Sequence, residues 1–378
     1  MSANLSSQPG SVLPDQLQYW GFTLNSALTK PESKLNLLRL DDTPTTRYRS
    51  NAVKITRRFL TVDVFRSIAV LLLLSVAVGG CQNATRNAGP AGTPSDAAAY
   101  PNGSLLVSAQ WLQAHLTDPS LRVIDLSAIG DYQQGHIPGA VHLWWQDTIE
   151  LHNDVYGMLA GQPELQQLVQ VAGITPESNV VLYDNAGDRW AAHFLWVLNA
   201  NGFTHVSLLN GGSQAWKADG YRLTTSSPAV AAGRLDLKLD YDVLVDSATV
   251  ATDLTNPGYV IVDNRTIAEQ QATWYGKLRL GQIPGAKLIP WTAMTQPGAI
   301  PYFESPEMLR KRFLDVGVTP DKKVVVYGLD GVSAAQTYVA LKLLGYPAVQ
   351  VYDGSWAQWG SSANLPIAPL PDQPAATK

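Results

Sequence analysis

A chain of 378 residues with 46% hydrophobic and 15% charged residues exceeds one typical domain and has the composition of an ordinary folded protein, so two cores of moderate size are expected. A net charge of -4, with no basic tract and no zinc-ligand spacing, argues against nucleic acid as a partner and against a metal site. The single cysteine, Cys81, excludes an intrachain disulfide and leaves no second thiol for chemistry.

Residues 1–51 are polar and without a clear period, apart from a weak apolar patch at 35–40. Lys54, Arg57, Arg58 and Arg66 then precede an apolar run at 68–80, too short to span a bilayer but of the length of a signal-peptide core, so 53–80 reads as a signal peptide. Val78-Gly79-Gly80-Cys81 resembles a bacterial lipobox, in which small residues admit the signal peptidase and the cysteine becomes the lipidated first residue. A buried apolar segment ending in an inert thiol is the alternative. Because such a signal normally opens a chain, translation is expected to begin near Val53 or Val62, leaving 1–51 as an untranslated extension. Residues 81–102, rich in small residues, Gly and Pro, read as a flexible tether. Gln82 lacks the aspartate that holds some lipoproteins at the inner membrane, which favours the outer-membrane side of a cell envelope.

Beyond the tether, Ser108 can cap a short helix, and 121–126 reads as a strand. Residues 135–140 read Gly-His-Ile-Pro-Gly-Ala, where Pro138 and Gly139 supply turn geometry and His136 is expected to hydrogen-bond rather than catalyse. Val180 to Tyr183, a loop from Asp184 and a helix ending at Gly202 form strand, loop and helix. After a Ser-, Pro- and Ala-rich linker at 224–235 the order of features repeats. Residues 260–263 answer 123–125 and 281–286 answer 135–140, while Ala334, Gly345 and Trp359 answer Ala191, Gly202 and Trp216 at one common offset. That regularity indicates an internal duplication. In the second copy Val324, Val325, Val326 and Tyr327 lead through a small loop into a helix carrying Ala334, Tyr338, Leu341 and Leu344. Such a loop turns backbone N–H groups toward one point at a helix N-terminus, where the dipole favours an anion. Strands alternating with helices imply an α/β architecture: a mainly parallel sheet in each copy, helices on both faces, and a site at the carboxyl ends of the strands.

The loop Gly328-Leu329-Asp330-Gly331-Val332-Ser333-Ala334 resembles the active-site loop of the rhodanese family, the thiosulfate and 3-mercaptopyruvate sulfurtransferases, which reads approximately Cys-x-x-Gly-Val-Thr-Ala before the same helix. The likeness continues through Asp353-Gly354-Ser355-Trp356 and the two turns at 135–140 and 281–286, and covers roughly 104–365. It implies two tandem rhodanese-like domains. The first, 103–223, is the non-catalytic copy, with Asp184 or its neighbour at the cysteine position. The second, 236–368, carries the active-site loop 327–335 and is followed by a tail, 369–378. The resemblance also implies that Arg265, in Asp263-Asn264-Arg265, helps to bind the donor; an ion pair with Asp330 or Glu269 is the alternative.

In this family a cysteine thiolate takes sulfane sulfur from a donor and passes it to an acceptor, which requires a thiol pKa pulled below the usual value of about 8.5. Here Gly328 stands at the thiol position, and Leu329 and Asp330 stand where basic or hydrogen-bonding residues are usual. Two unit charges about 4 Å apart at an effective dielectric of about 20 repel by roughly 4 kcal/mol, so the Asp330 carboxylate should oppose an anionic donor. Ser333, at a helix start with no His-Asp partner nearby, reads as a cap rather than a nucleophile. The expected function is that of a transferase-like lipoprotein without sulfurtransferase activity, retained as a ligand- or protein-binding module of the cell envelope. Its expected partners are a small anionic or sulfur-containing ligand, an envelope protein, and the membrane through a lipid anchor; no cofactor is called for. The alternative is a sulfurtransferase-type enzyme acting through a partner cysteine or with altered chemistry.

Overall fold

The structure, a computed structural model, describes residues 99–153, 155–271 and 278–371. The extension 1–51, the signal peptide 53–80, Cys81 and most of the tether and tail lie outside the described residues.

The first copy opens with β1 (Leu106–Val107) and α1 (Ala109–His115), whose first turn is capped by Ser108 accepting the Trp111 N–H at 3.0 Å. Next come β2 (Leu121–Asp125), α2 (Ile129–Gln134) and β3 (Ala140–His142). An antiparallel hairpin of β4 (Ile149–His152) and β5 (Val155–Leu159) leads to α3 (Gln162–Ala172), β6 (Asn179–Tyr183), α4 (Arg189–Ala200), β7 (Val206–Leu209) and α5 (Gly212–Ala218). The second copy runs β8 (Leu244–Val245), α6 (Ser247–Thr252), β9 (Tyr259–Asp263), α7 (Ile267–Gln270), β10 (Lys287–Leu288), α8 (Pro306–Asp315), β11 (Lys323–Tyr327), α9 (Gly331–Leu343), β12 (Val349–Tyr352) and α10 (Ser355–Trp359).

Two separate five-stranded sheets result, ordered β1-β7-β6-β2-β3 and, in the same sense, β8-β12-β11-β9-β10. Every pairing within them is parallel. The duplicated sequence is thus a duplicated topology. Parallel strands are buried on both faces and need helices on both. Alternate residues of the central strands accordingly enter different cores: Val324 and Val326 of β11 point one way, Val325 and Tyr327 the other.

The sequence implies two cores, whereas the structure has one large core common to both copies and two smaller outer ones. The reason lies in α4 and α9. Each is buried nearly all round, α4 from Arg189 to Leu198 and α9 from Gly331 to Leu341, as expected of a helix with no solvent face. They pack on one another, so the inner helix layers of both sheets are the same layer. Polar contacts seal this layer: Asn199 Nδ2 donates to the Tyr338 hydroxyl at 3.2 Å, and Gln336 Nε2 donates to the Gly187 carbonyl at 2.6 Å. Sheet ends and helix starts of both copies therefore meet around the loop that follows β11.

Candidate functional site

In the first copy the chain leaves β6 at Tyr183 and turns through Asp184 into α4. The Asp184 carboxylate is fully buried and accepts four backbone N–H groups, from Ala186 (2.7 Å), Asp188 (2.9 Å), Trp190 (2.7 Å) and Ala191 (2.9 Å). This is an anion nest filled by its own side chain. Burial still pushes the Asp184 carboxyl above its usual range, with the four N–H groups pulling it back. Asp188, in the left-handed region at φ 60°, is pushed well up by burial and then by the neighbouring Asp184.

In the second copy the residue after the strand is Gly328. Its N–H donates to Ser355 Oγ at 3.1 Å and its carbonyl accepts the Trp356 N–H at 3.0 Å, while the Leu329 carbonyl accepts the Ala357 N–H at 2.9 Å. The segment from Asp353 to Trp356 thereby fixes the loop. A Cβ added at Gly328 would lie 2.6 Å from Asn264 Oδ1 and would collide with Ser333 Oγ. Both of those oxygens are buried without a hydrogen-bond partner. Asn264 is held in place by its Nδ2, which donates to the Ser333 carbonyl (2.7 Å) and to Thr337 Oγ1 (3.2 Å). A hydroxyl and an amide oxygen thus occupy the ground where a thiol side chain would begin.

The helix cap is Asp330, not Ser333 as the sequence suggests. Asp330 Oδ1 accepts the Val332 N–H at 3.2 Å and the Ser333 N–H at 3.5 Å, which makes Ser333 the third residue of α9. The carboxylate therefore sits on the positive end of α9, where an external anion would otherwise be drawn. Burial raises the Asp330 carboxyl and the Arg189 charge opposes that rise.

Strand β5 covers the loop. Gly157, at φ 88°, lies so close that a Cβ there would come within 2.8 Å of Asp330 Cβ. Leu159 donates its N–H to Asp353 Oδ2 at 2.7 Å. The Asp353 carboxyl is pushed up to about 7, chiefly by burial, with the Leu159 N–H opposing. Arg189 of the first copy lies over the Trp291 ring at 5.3 Å and attracts both Asp330 and Glu269. Glu269 closes a capping box with Thr266 and accepts the Trp291 indole N–H at 3.2 Å. Every residue from Gly328 to Ser333 is buried.

Arg265 pairs with neither Asp330 nor Glu269. It is fully buried, donating through Nε to Asp263 Oδ1 (3.0 Å) and through Nη2 to Asp263 Oδ2 (2.7 Å) and the Gly281 carbonyl (2.8 Å). Its guanidinium lies 4.3 Å from the centre of the Trp356 ring. Asp263, two residues earlier at the end of β9, captures it before it can turn toward the loop. His136 behaves as expected of a turn histidine: Nδ1 faces the Tyr132 carbonyl (2.9 Å) and Nε2 the Ser226 carbonyl (3.2 Å). The sequence reading missed Asn264, Gly157, Arg189 and Asp353 as parts of the site. Asn264 and Asp353 lie inside motifs already noted, but nothing local to Gly157 or Arg189 places them against a loop of the other copy. Among the described residues no group of three His, Cys, Asp or Glu side chains could hold a metal ion.

The rhodanese-like domain model matches residues 108–219 and 247–362. The sulfur carrier protein TtuD of Thermus thermophilus is 35% identical over 283 residues, covering 71% of this chain and 98% of its own. A thiosulfate sulfurtransferase of Pseudomonas aeruginosa is 32% identical over 70% of this chain and 96% of its own. The crystal structure of SseA from Escherichia coli, a 3-mercaptopyruvate sulfotransferase with the rhodanese fold, superposes with a TM-score of 0.61 at 28% identity, covering 67% of this chain and 98% of that one. With two matched domains and two copies of one parallel topology, the chain belongs to the rhodanese-like family and is similar along both domains to the thiosulfate and 3-mercaptopyruvate sulfurtransferases.

Proposed function

We propose that this chain keeps the two-domain sulfurtransferase scaffold without carrying sulfur itself, and serves as a ligand- or protein-binding module of a bacterial cell envelope. One observation carries the loss of transfer. At the head of α9 the nucleophile position is Gly328, and Ser333 Oγ and Asn264 Oδ1 stand where a cysteine Cβ would go. A persulfide requires a thiolate, and the one cysteine of the sequence, Cys81, belongs to the lipobox-like segment. The Asp330 carboxylate on the helix N-terminus adds a second obstacle by occupying the field that would ionise a thiol or hold an anionic donor. Attachment to a membrane is supported by the order of features in the sequence: basic start, short apolar core, small residues, Cys81 and a tether.

The test is a thiosulfate or 3-mercaptopyruvate assay with cyanide on the full chain, combined with intact mass after donor treatment. The expected result is thiocyanate formation at the uncatalysed rate and no gain of a sulfur atom. Turnover by the chain alone overturns the reading; transfer that needs a thiol protein supplied in trans selects the partner-cysteine alternative. Cell fractionation of Cys81→Ser tests the anchor, with release of soluble protein or retention of precursor expected and an unchanged distribution counting against it.

A further inference from the structure

The linker 224–235 is strapped onto the first copy. Thr224 pairs with His136 in an antiparallel bridge, its N–H donating to the His136 carbonyl at 2.8 Å and its carbonyl accepting the His136 N–H at 2.9 Å. Ser227 Oγ lies 3.3 Å from the Tyr132 hydroxyl. The far end is held as well: the Gly233 N–H donates to the Gln170 carbonyl at 2.9 Å, and buried Leu235 enters the large core.

The His136 side chain closes the start of this strap. Its ring is 1% exposed, and both nitrogens face carbonyl oxygens, Nδ1 that of Tyr132 in α2 at 2.9 Å and Nε2 that of Ser226 in the strap at 3.2 Å. A carbonyl only accepts, and a neutral imidazole has one N–H. One of the two contacts therefore lacks a hydrogen unless the ring is an imidazolium. The stacking favours the same state: the ring lies 5° from the plane of Tyr132 with centroids 3.7 Å apart, and a positive group is attracted to an aromatic face. In the second copy Gln282 makes the matching bridge, to Ala368, with a side chain that has no proton to lose.

The charged groups of the surrounding elements divide. Asp131 of α2, tied to Asn185 at 2.8 Å, and buried Asp125 at the end of β2 favour a positive ring. Arg222, just ahead of the strap, disfavours it, as does His142 of β3, 5.0 Å from the Tyr132 ring, when itself charged. Tyr183 of β6 accepts the Ile137 N–H at 3.1 Å and stays neutral, because burial and then Asp125 hold its hydroxyl well above its usual range. Thr224, Thr225, Ser226 and Ser227 carry no charge. The two carbonyls and the Tyr132 face decide.

We propose that His136 is a pH-sensitive latch: as an imidazolium it donates to both carbonyls and holds the strap, and when it gives a proton to solvent it keeps the shorter bond to Tyr132 and releases Ser226. The neutral ring turns a lone pair toward the Ser226 carbonyl, so a charge-assisted bond becomes a repulsion. The latch is complete where even a free histidine is charged, below about pH 6, and weakens as pH rises. It depends neither on the missing thiol nor on a membrane anchor.

Nuclear magnetic resonance of the full chain with isotope-labelled histidine tests this, the His136 ring being identified by its Overhauser contacts with the Tyr132 ring. Both ring nitrogens should carry protons at about pH 5.5 and only one at about pH 8.5. Over the same interval the protection of the Thr224 amide against hydrogen exchange, corrected for the intrinsic pH dependence of exchange, should fall about tenfold. In His136→Gln that protection should be level. A His136 ring that keeps the same number of protons throughout, Thr224 protection that holds level while the ring deprotonates, or an equal fall in His136→Gln overturns the latch. The first two outcomes are read on the parent chain and stand whatever becomes of the variant's fold.

Discussion

Asp184 and Gly328 follow the same strand in the two copies, each one residue after a buried tyrosine, and the two loops have solved the same electrostatic problem differently. The first places a carboxylate at the cysteine position and surrounds it with four N–H groups. The second leaves that position bare and moves the carboxylate two residues on, where Asp330 holds only two N–H groups, one at 3.2 Å and one at 3.5 Å. In both, the positive helix end is neutralised from within the chain. The difference lies in how firmly: Asp184 organises its loop, whereas the Gly328 loop is held mainly from outside, by Ser355, Trp356 and the covering strand β5.

The two carboxylates therefore contribute unequally to stability. Asp184→Ala leaves four buried N–H groups without an acceptor and should cost about 3–5 kcal/mol. Asp330→Ala removes a helix cap and should cost about 1–2 kcal/mol. Urea unfolding of both variants measures the gap; equal losses would mean that the two loops are built alike after all.

A second measurement asks whether the bare position can be refilled. Gly328→Cys alone should give almost no sulfur transfer, because Ser333 Oγ must rotate away and the nearby Asp330 carboxylate holds the thiol's pKa up. A like charge within a few ångströms shifts a pKa by about 1–3 units, so adding Asp330→Ser and Leu329→Arg should raise the rate by about a hundredfold, or about 3 kcal/mol of barrier. Full activity in Gly328→Cys alone would remove Asp330 from the account.

Much of this was legible in the sequence, and what was not has a physical cause. The duplication, the parallel α/β order, the loop after Tyr327 and the bare Gly328 are all local patterns. The shared core was not legible, because α4 and α9 carry apolar residues all round and periodicity cannot say that the second face of each is covered by the other. The Asp330 or Glu269 pairing read for Arg265 fails because Asp263, two residues away along β9, takes its Nε and Nη2 instead. Gly157 was invisible because its role depends on a contact with Asp330 in the other copy.

That contact supplies the third measurement. Gly157→Ala places a Cβ on a backbone at φ 88° and drives it against Asp330, so it should cost about 2 kcal/mol and loosen β5 from the loop. Hydrogen exchange at the Leu159 amide should rise with it. Unchanged exchange would show that β5 is not what holds the second loop.

The pH-dependent effect is also the most direct comparison of the copies, because Asp353 stands at the same offset from Asn210 that relates the other repeat pairs. Both residues tie their copy to the other: Asp353 accepts the Leu159 N–H at 2.7 Å, and Asn210 Oδ1 accepts the Phe303 N–H at 2.9 Å. Only Asp353 titrates, from an ordinary value of 3.8 up to about 7 in the folded chain. Over that interval the folded form holds a proton that the unfolded chain has lost, so the contribution of Asp353 to stability is fully present below about pH 4 and falls as pH rises to about 7. The slope is at most about 1.4 kcal/mol per pH unit. Asp353→Asn installs the residue of the other copy, keeps an oxygen for the Leu159 N–H and removes the titration. Asp330 and Glu269, also raised by burial, contribute a fall of the same sign in both proteins, so the difference between them reports Asp353 together with its coupling to Asp330, whose charge also raises it. The unfolding free energy of Asp353→Asn should therefore gain on that of the parent chain between pH 4 and 7 and stay level above it; parallel profiles across that window would show that the two tying residues are equivalent in charge as well as in place.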